Sequence, residues 1–257
     1  MTMRLATTVF PGEGGGTPLV VVHGLFGAGR NWRALAKRLG AGRNAIAVDM
    51  RNHGTSPRDP AHDYHAMAQD LAEVIEGNGG RAIVLGHSMG GKAAMVLAQT
   101  RPELVERLIV ADIAPVSYDH NLSHHIAAMR GVDLNAVTRR SEVEAAIAVH
   151  VPEPGVAPFL AQSADLSGDA PRWLLNLDVL DDQMGLIVGY PDETGVYRGP
   201  TLFLYGGASD YVTPDMHPQI QSLFPNARFE ALAGAGHWLH AEKPREFIAA
   251  VSAFIAE

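Results

Sequence analysis

Short apolar, β-favouring runs recur along this chain with helical patterns between them, and that alternation narrows its possible folds more than any other feature. The runs fall at residues 5–10, 19–23, 45–49, 82–85, 108–112, 201–205 and 228–232, and each is only strand-length. Between them, residues 32–39, 67–75, 92–99, 214–223 and 247–255 place apolar side chains at the three- and four-residue spacing of a helix with one buried face. Parallel strands need a crossover long enough to hold a helix, so the pattern predicts an α/β fold: a mostly parallel central sheet flanked by helices. The glycine-rich stretch at residues 12–16 lies between two strand candidates rather than ahead of a helix, which predicts a hairpin loop and not a phosphate cradle.

The rhythm breaks after Pro115 and resumes at Pro200. In between, residues 123–130, 142–150, 158–164 and 173–180 are helical or irregular in pattern, separated by Pro152, Pro154, Gly168 and Pro171. A structureless loop of that length does not suit a compact domain. Residues 115–199 are therefore expected to form an inserted helical cap, with residues 1–114 and 200–257 making up the sheet core. A cap entering there covers the carboxyl ends of the strands, where open α/β sheets hold their ligands. The 257 residues suit one such domain.

One strand-to-helix junction carries chemistry. Gly86-His87-Ser88-Met89-Gly90-Gly91 follows the strand candidate at 82–85 and opens the helix candidate at 92–99, which is Gly-x-Ser-x-Gly in the strand-turn-helix setting that this motif requires. A serine at the tip of so sharp a turn is strained, and glycines two residues to either side let strand and helix approach. A serine hydroxyl is a weak nucleophile at neutral pH and needs a histidine base, itself oriented by a carboxylate. His237, in the small-residue loop after the last strand, is the candidate base, while His23, His53 and His87 are read as loop-organising groups. Asp112 ends one strand and Asp210 follows the next; either is placed to serve as the acid, and Asp178 is a third candidate. Two N–H donors must face the developing oxyanion. Met89, at a helix N-terminus, supplies one, and Leu25 or Phe26 in His23-Gly24-Leu25-Phe26-Gly27 the other. Phe159 and Trp173 in the cap and Trp238 beside His237 are the aromatic candidates for a substrate pocket. The loop Asp49-Met50-Arg51-Asn52-His53-Gly54 is read as architectural.

Composition removes other chemistries. Without cysteine there is no disulfide, no thiolate metal site and no cysteine nucleophile. The twelve histidines include no His-Glu-x-x-His pattern, so no metal and no cofactor are expected. A net charge of −8 argues against nucleic acid and anionic lipid as partners, and no apolar run approaches the ~18 residues of a membrane span. The first residues lead straight into a strand pattern without a secretory core, so the expected location is cytoplasmic and the expected state a monomer or homodimer.

Taken together, the motifs resemble one branch of the α/β hydrolases, the YbfF-type esterases and abhydrolase-domain-eleven proteins. The resemblance rests on His23-Gly24-Leu25-Phe26-Gly27, Asp49 with Arg51-Asn52-His53-Gly54 and Ser56, the run from Gly86 to Lys92, Arg101-Pro102-Glu103-Leu104-Val105-Glu106-Arg107-Leu108, Asp112-Ile113 with Pro115-Val116, Asn176-Leu177-Asp178, Arg198-Gly199-Pro200-Thr201-Leu202-Phe203, and Gly236-His237-Trp238 with His240-Ala241. It runs nearly end to end and is weakest over residues 121–172. It implies an α/β-hydrolase fold and a cofactor-free serine hydrolase acting on a small-molecule ester or thioester, with short acyl esters and acyl-CoA as substrate classes. For the acid, the resemblance favours Asp112 over Asp210 and leaves Asp178 third. This acidic chain shows no basic patch for CoA. Carbon–carbon bond or lactone hydrolysis on the same residues, and a non-catalytic small-ligand receptor, are the alternatives.

Overall fold

The computed structural model describes residues 3–168, 170–192 and 195–257. Its strands are β1 (Thr7–Phe10), β2 (Gly16–Val22), β3 (Arg43–Val48), β4 (Ala82–His87), β5 (Val105–Ala111), the two-residue β6 (Ala164–Asp165) and β7 (Arg172–Trp173), β8 (Thr201–Gly206) and β9 (Ala227–Leu232). Its helices are α1 (Arg33–Leu39), α2 (Tyr64–Glu76), α3 (Met89–Thr100), α4 (Ser123–Arg130), α5 (Arg140–Ala148), α6 (Val156–Ala161), α7 (Leu177–Asp182), α8 (Met184–Val188), α9 (His217–Leu223), α10 (Leu239–Glu242) and α11 (Pro244–Ala256).

Seven strands form one sheet in the order β1-β3-β2-β4-β5-β8-β9, parallel except for β1. Its central strands are apolar at nearly every position because both faces are covered. Val20, Val22, Val84 and Val110 point into a core shared with α2, α3 and α9. Their neighbours Leu19, Val21, Ile83, Leu85 and Ile109 point the other way, into a second core with α1, α10 and α11. Helix ends are set locally. Asp63 caps α2 by accepting the Ala66 N–H at 2.9 Å, and Pro244 opens α11.

Two expectations change. Residues 12–16 do not close a hairpin, because β1 pairs antiparallel with β3 (Phe10 opposite Ala45) while both edges of β2 are taken by β3 and β4. The stretch instead crosses the sheet's end, where Gly12 packs so tightly that a Cβ there would sit 2.1 Å from Gly40 O. In the second case, residues 173–180 are not one helical stretch. Trp173 pairs with Ala164 and Arg172 with Asp165 in the β6–β7 ribbon, and α7 begins only at Leu177.

The strand order creates a crevice. From β2 the chain steps to β3 on one side, then returns past β2 to β4 and continues to β5 on the other side. The loops leaving the carboxyl ends of β2 and β4 therefore diverge, and such a switch point is where α/β sheets hold ligands. The segment between β5 and β8 contains α4 to α8 and is tied to the core by polar contacts. The Lys92 ammonium donates to the Val188 and Gly189 carbonyls at 2.8 and 2.6 Å, the Tyr64 hydroxyl to Ile187 O at 2.5 Å, and Asn176 Nδ2 to Asn52 Oδ1 at 2.9 Å.

Candidate active site

Among the described residues, four other than glycine adopt left-handed backbone conformations: Phe26, Asn52, Ser88 and Asp112, with φ of 64°, 64°, 51° and 50°. They lie just beyond the carboxyl ends of β2, β3, β4 and β5 in turn. Such conformations cost about 1–3 kcal/mol each and persist where the surroundings over-determine them.

Ser88 sits between β4 and α3 with ψ of −122°. Its N–H donates to Ala111 O at 3.0 Å and its carbonyl accepts from the Lys92 N–H at 3.1 Å, so the residue is pinned from both sides. The flanking glycines are a steric requirement. A Cβ on Gly86 would lie 2.3 Å from Gly90 O, and one on Gly90 would lie 2.4 Å from His23 O.

Asp112 is wholly buried, and its carboxylate accepts three hydrogen bonds: Gly206 N–H to Oδ1 at 2.8 Å, Ser209 hydroxyl to Oδ2 at 2.5 Å, and His237 Nδ1–H to Oδ2 at 2.8 Å. With Nδ1 donating, Nε2 of His237 is left to act as an acceptor. The His237 ring stacks on Tyr211, centroids 4.0 Å apart, and its carbonyl accepts from His87 Nε2 at 2.9 Å. His87 is neutral because burial, with His240 and His237 alongside, holds its pKa well below the usual histidine value. Of the other carboxylate candidates, Asp210 is exposed and its side chain has no hydrogen bond among the described residues, and the Asp178 side chain is 91% exposed and pairs with Arg130 at 2.8 Å. Neither meets His237.

The two loops beside Ser88 differ in which amides are free. The Phe26 N–H donates to His53 Nε2 at 3.2 Å, and His53 Nδ1–H donates to Arg51 O at 2.9 Å, so this buried neutral ring consumes the Phe26 amide. Phe26 is thereby removed as an oxyanion donor. Among the described residues the Leu25 N–H has no hydrogen-bond partner, and the Met89 N–H is the first of α3, with no preceding turn to bond to. His23 is likewise locked, Nε2 accepting from Met50 N–H at 3.0 Å and Nδ1 donating to Gly24 O at 2.8 Å, and burial lowers its pKa. Arg51 is turned away from the cleft into a two-bond pair with the buried Asp70, at 2.6 and 2.8 Å.

A cleft of about 210 Å³ opens over Ser88 and His237. Phe159 and Trp238 line it, ring centroids 5.7 Å apart, with Leu25, Phe26, Leu122 and Val156. Trp173 does not line it. The β6–β7 pairing holds that residue against the main core, and its carbonyl accepts from Arg58 at 2.9 Å. Ser209, Tyr211 and the His53 contact could not be read in advance, since a serine, a tyrosine and a turn histidine carry no motif of their own and acquire partners only through the fold.

The chain as a whole has counterparts among known proteins. The profile of the alpha/beta hydrolase family matches residues 19–251. The chain belongs to the alpha/beta hydrolase family. It is 40% identical to the sn-1-specific diacylglycerol lipase ABHD11 of Mus musculus over 99% of this chain and 86% of that one. It is 38% identical to the esterase YbfF of Escherichia coli K12 over 99% of each. A solved structure described as a marine microorganism esterase superposes with a TM-score of 0.93 at 35% identity, covering 98% of this chain and all of that one. As in other alpha/beta hydrolases, the sheet is mostly parallel with helices on both faces. No helix among the described residues is long and apolar enough to cross a membrane.

Proposed function

We propose that this alpha/beta hydrolase cleaves small carboxylic esters through an acyl-enzyme on Ser88, and that thioesters of similar acyl size are a second substrate class. Ser88 Oγ attacks the acyl carbon while His237 Nε2 takes its proton. Asp112 holds the Nδ1–H tautomer and stabilises the imidazolium that forms. The Leu25 and Met89 N–H groups face the oxyanion, the second with the positive end of α3 behind it. The proton passes from His237 to the leaving alcohol or thiol, and water, deprotonated by the same imidazole, then releases the acid. The segment carrying α4 to α8 serves as the cap, and its Phe159 and Leu122 hold the apolar part of the substrate against Trp238.

The observation that supports this reading most is the 2.8 Å contact of His237 Nδ1 with a buried Asp112 at the cleft that also exposes Ser88. The relatives named as esterases and lipases support ester hydrolysis in general. The test is a p-nitrophenyl ester and acyl-CoA chain-length series with wild type, Ser88→Ala and Phe159→Ala, alongside labelling by a fluorophosphonate probe. Wild type labels and turns over, Ser88→Ala does neither while keeping its fold, and Phe159→Ala shifts the preferred chain length. Turnover by a contamination-free Ser88→Ala preparation refutes the mechanism.

A further inference from the structure

We propose that His124, His125 and Glu153 form a site for one zinc-class divalent ion at the lip of the cleft, separate from the groups assigned to hydrolysis. One ligand atom from each of the three lies within 4.8 Å of the others. His124 and His125 stand in the first turn of α4 with ring centroids 4.0 Å apart, and Glu153 comes from the turn that leads into α6. Two imidazoles and a carboxylate are the donors that zinc-class ions favour, whereas magnesium and calcium take oxygen ligands throughout.

The ring nitrogens are arranged for such a role. His124 Nδ1 lies 3.2 Å from the Asn121 carbonyl, which can only accept, so Nδ1 carries the proton and Nε2 keeps its lone pair. A backbone carbonyl that fixes the far nitrogen in this way is the usual support of a metal-bound histidine. His125 Nε2 is buried and has no hydrogen-bond partner, an unfavourable state for a polar atom unless something binds it. Zinc bonds of about 2.0–2.1 Å in a tetrahedron place ligand atoms about 3.3 Å apart. His124 and Glu153 are exposed and can rotate to close the remaining gap. Three protein ligands leave the fourth position to water.

The ion would tie the start of α4 to the turn before α6, two segments that border the cleft. Leu122 and His125 at the start of α4 line the cleft, and so do Val156, Phe159 and Leu160 of α6. No sequence motif announces the site because Glu153 reaches it from a separate turn. The inference does not depend on the hydrolytic reading, since it concerns binding alone.

The test is zinc binding to the metal-stripped full-length chain, by equilibrium dialysis with elemental analysis and by the visible spectrum of the cobalt(II) form. Wild type is compared with His124→Ala and Glu153→Gln. Outer-shell partners alone are worth about 10–100-fold in affinity, so loss of a ligand should weaken binding by more than about tenfold in each variant. The expected result is one equivalent bound by wild type, a tetrahedral cobalt spectrum, and a zinc-dependent rise in Tm that both variants lose while melting like wild type in chelator. Twelve histidines give zinc other places to bind, so the variants decide the matter. Equal binding by all three proteins, or no equivalent retained by wild type, overturns the proposal.

Discussion

Replacing Asp112 by asparagine tests the proposed mechanism at its most determined contact. The Gly206 N–H, 2.8 Å from Oδ1, can only donate, so the asparagine carbonyl must occupy that side. The amide NH2 then points at Ser209 and His237. Ser209 can rotate its hydroxyl to accept, but His237 can satisfy an NH2 only by turning Nδ1 into an acceptor, which moves the ring proton to Nε2. That tautomer cannot take a proton from Ser88. The geometry of the cleft survives and the base does not, a situation worth about 10⁴-fold in kcat, or about 5.5 kcal/mol of activation free energy. The same variant should cost only about 1 kcal/mol in folding, since Gly206 and His237 keep a partner and only the Ser209 hydroxyl proton loses its acceptor. The assay is p-nitrophenyl butyrate turnover for Asp112→Asn, Asp210→Asn and Asp178→Asn, with urea unfolding of each. Activity within tenfold of wild type for Asp112→Asn, or an equal loss for Asp210→Asn, would refute the reasoning.

Two further expectations follow from packing and burial. Gly90→Ala puts a methyl 2.4 Å from His23 O and 2.7 Å from Val22 O, so it should destabilise by about 3 kcal/mol or more, whereas Gly185→Ala meets open space and should be neutral or slightly stabilising; chemical denaturation distinguishes them. Burial pushes the Lys92 ammonium down to about 7 from an ordinary 10.5, against the two carbonyls it serves and the Tyr118 ring 4.8 Å away. The folded state then binds fewer protons than the unfolded state between those values. The cost of the buried charge is complete below about pH 7, and stability should rise with pH above it, by up to about 1.4 kcal/mol per unit. Lys92→Met should lack this rise, and parallel pH profiles for the two proteins would contradict it.

How much of this was readable in advance depends on the range of the interactions. The alternation of apolar runs with helical spacing is local, and the parallel sheet with helices on both faces follows from it, because strands buried on two sides must be apolar throughout. The seat of Ser88 was legible in part, since the requirement for Gly86 is a contact with Gly90 four residues on, whereas that for Gly90 comes from the distant Val22 and His23 carbonyls. Edge pairing was not. The sequence at 12–16 has hairpin glycines, yet β1 joins β3, because β2 finds partners of its own among distant strands.

The surroundings of Ser88 were decided almost wholly by tertiary structure. Asp112 and Asp210 each end up near a strand end, and nothing local separates them. Only the packing of β5 against β8 puts the first under the Gly206 N–H and His237 while the second turns to solvent. The Phe26 and Leu25 amides are neighbours in sequence, but the ring of His53, brought in from the loop after β3, takes one and leaves the other. Trp173 has the composition of a pocket residue and a ribbon pairing that removes it from the pocket. Local pattern fixed the elements because propensity, periodicity and turn sterics act over a few residues. Which polar groups meet was set by contacts between residues 125 apart, as with Asp112 and His237, or 150 apart, as with His87 and His237, and these form only when the whole sheet closes.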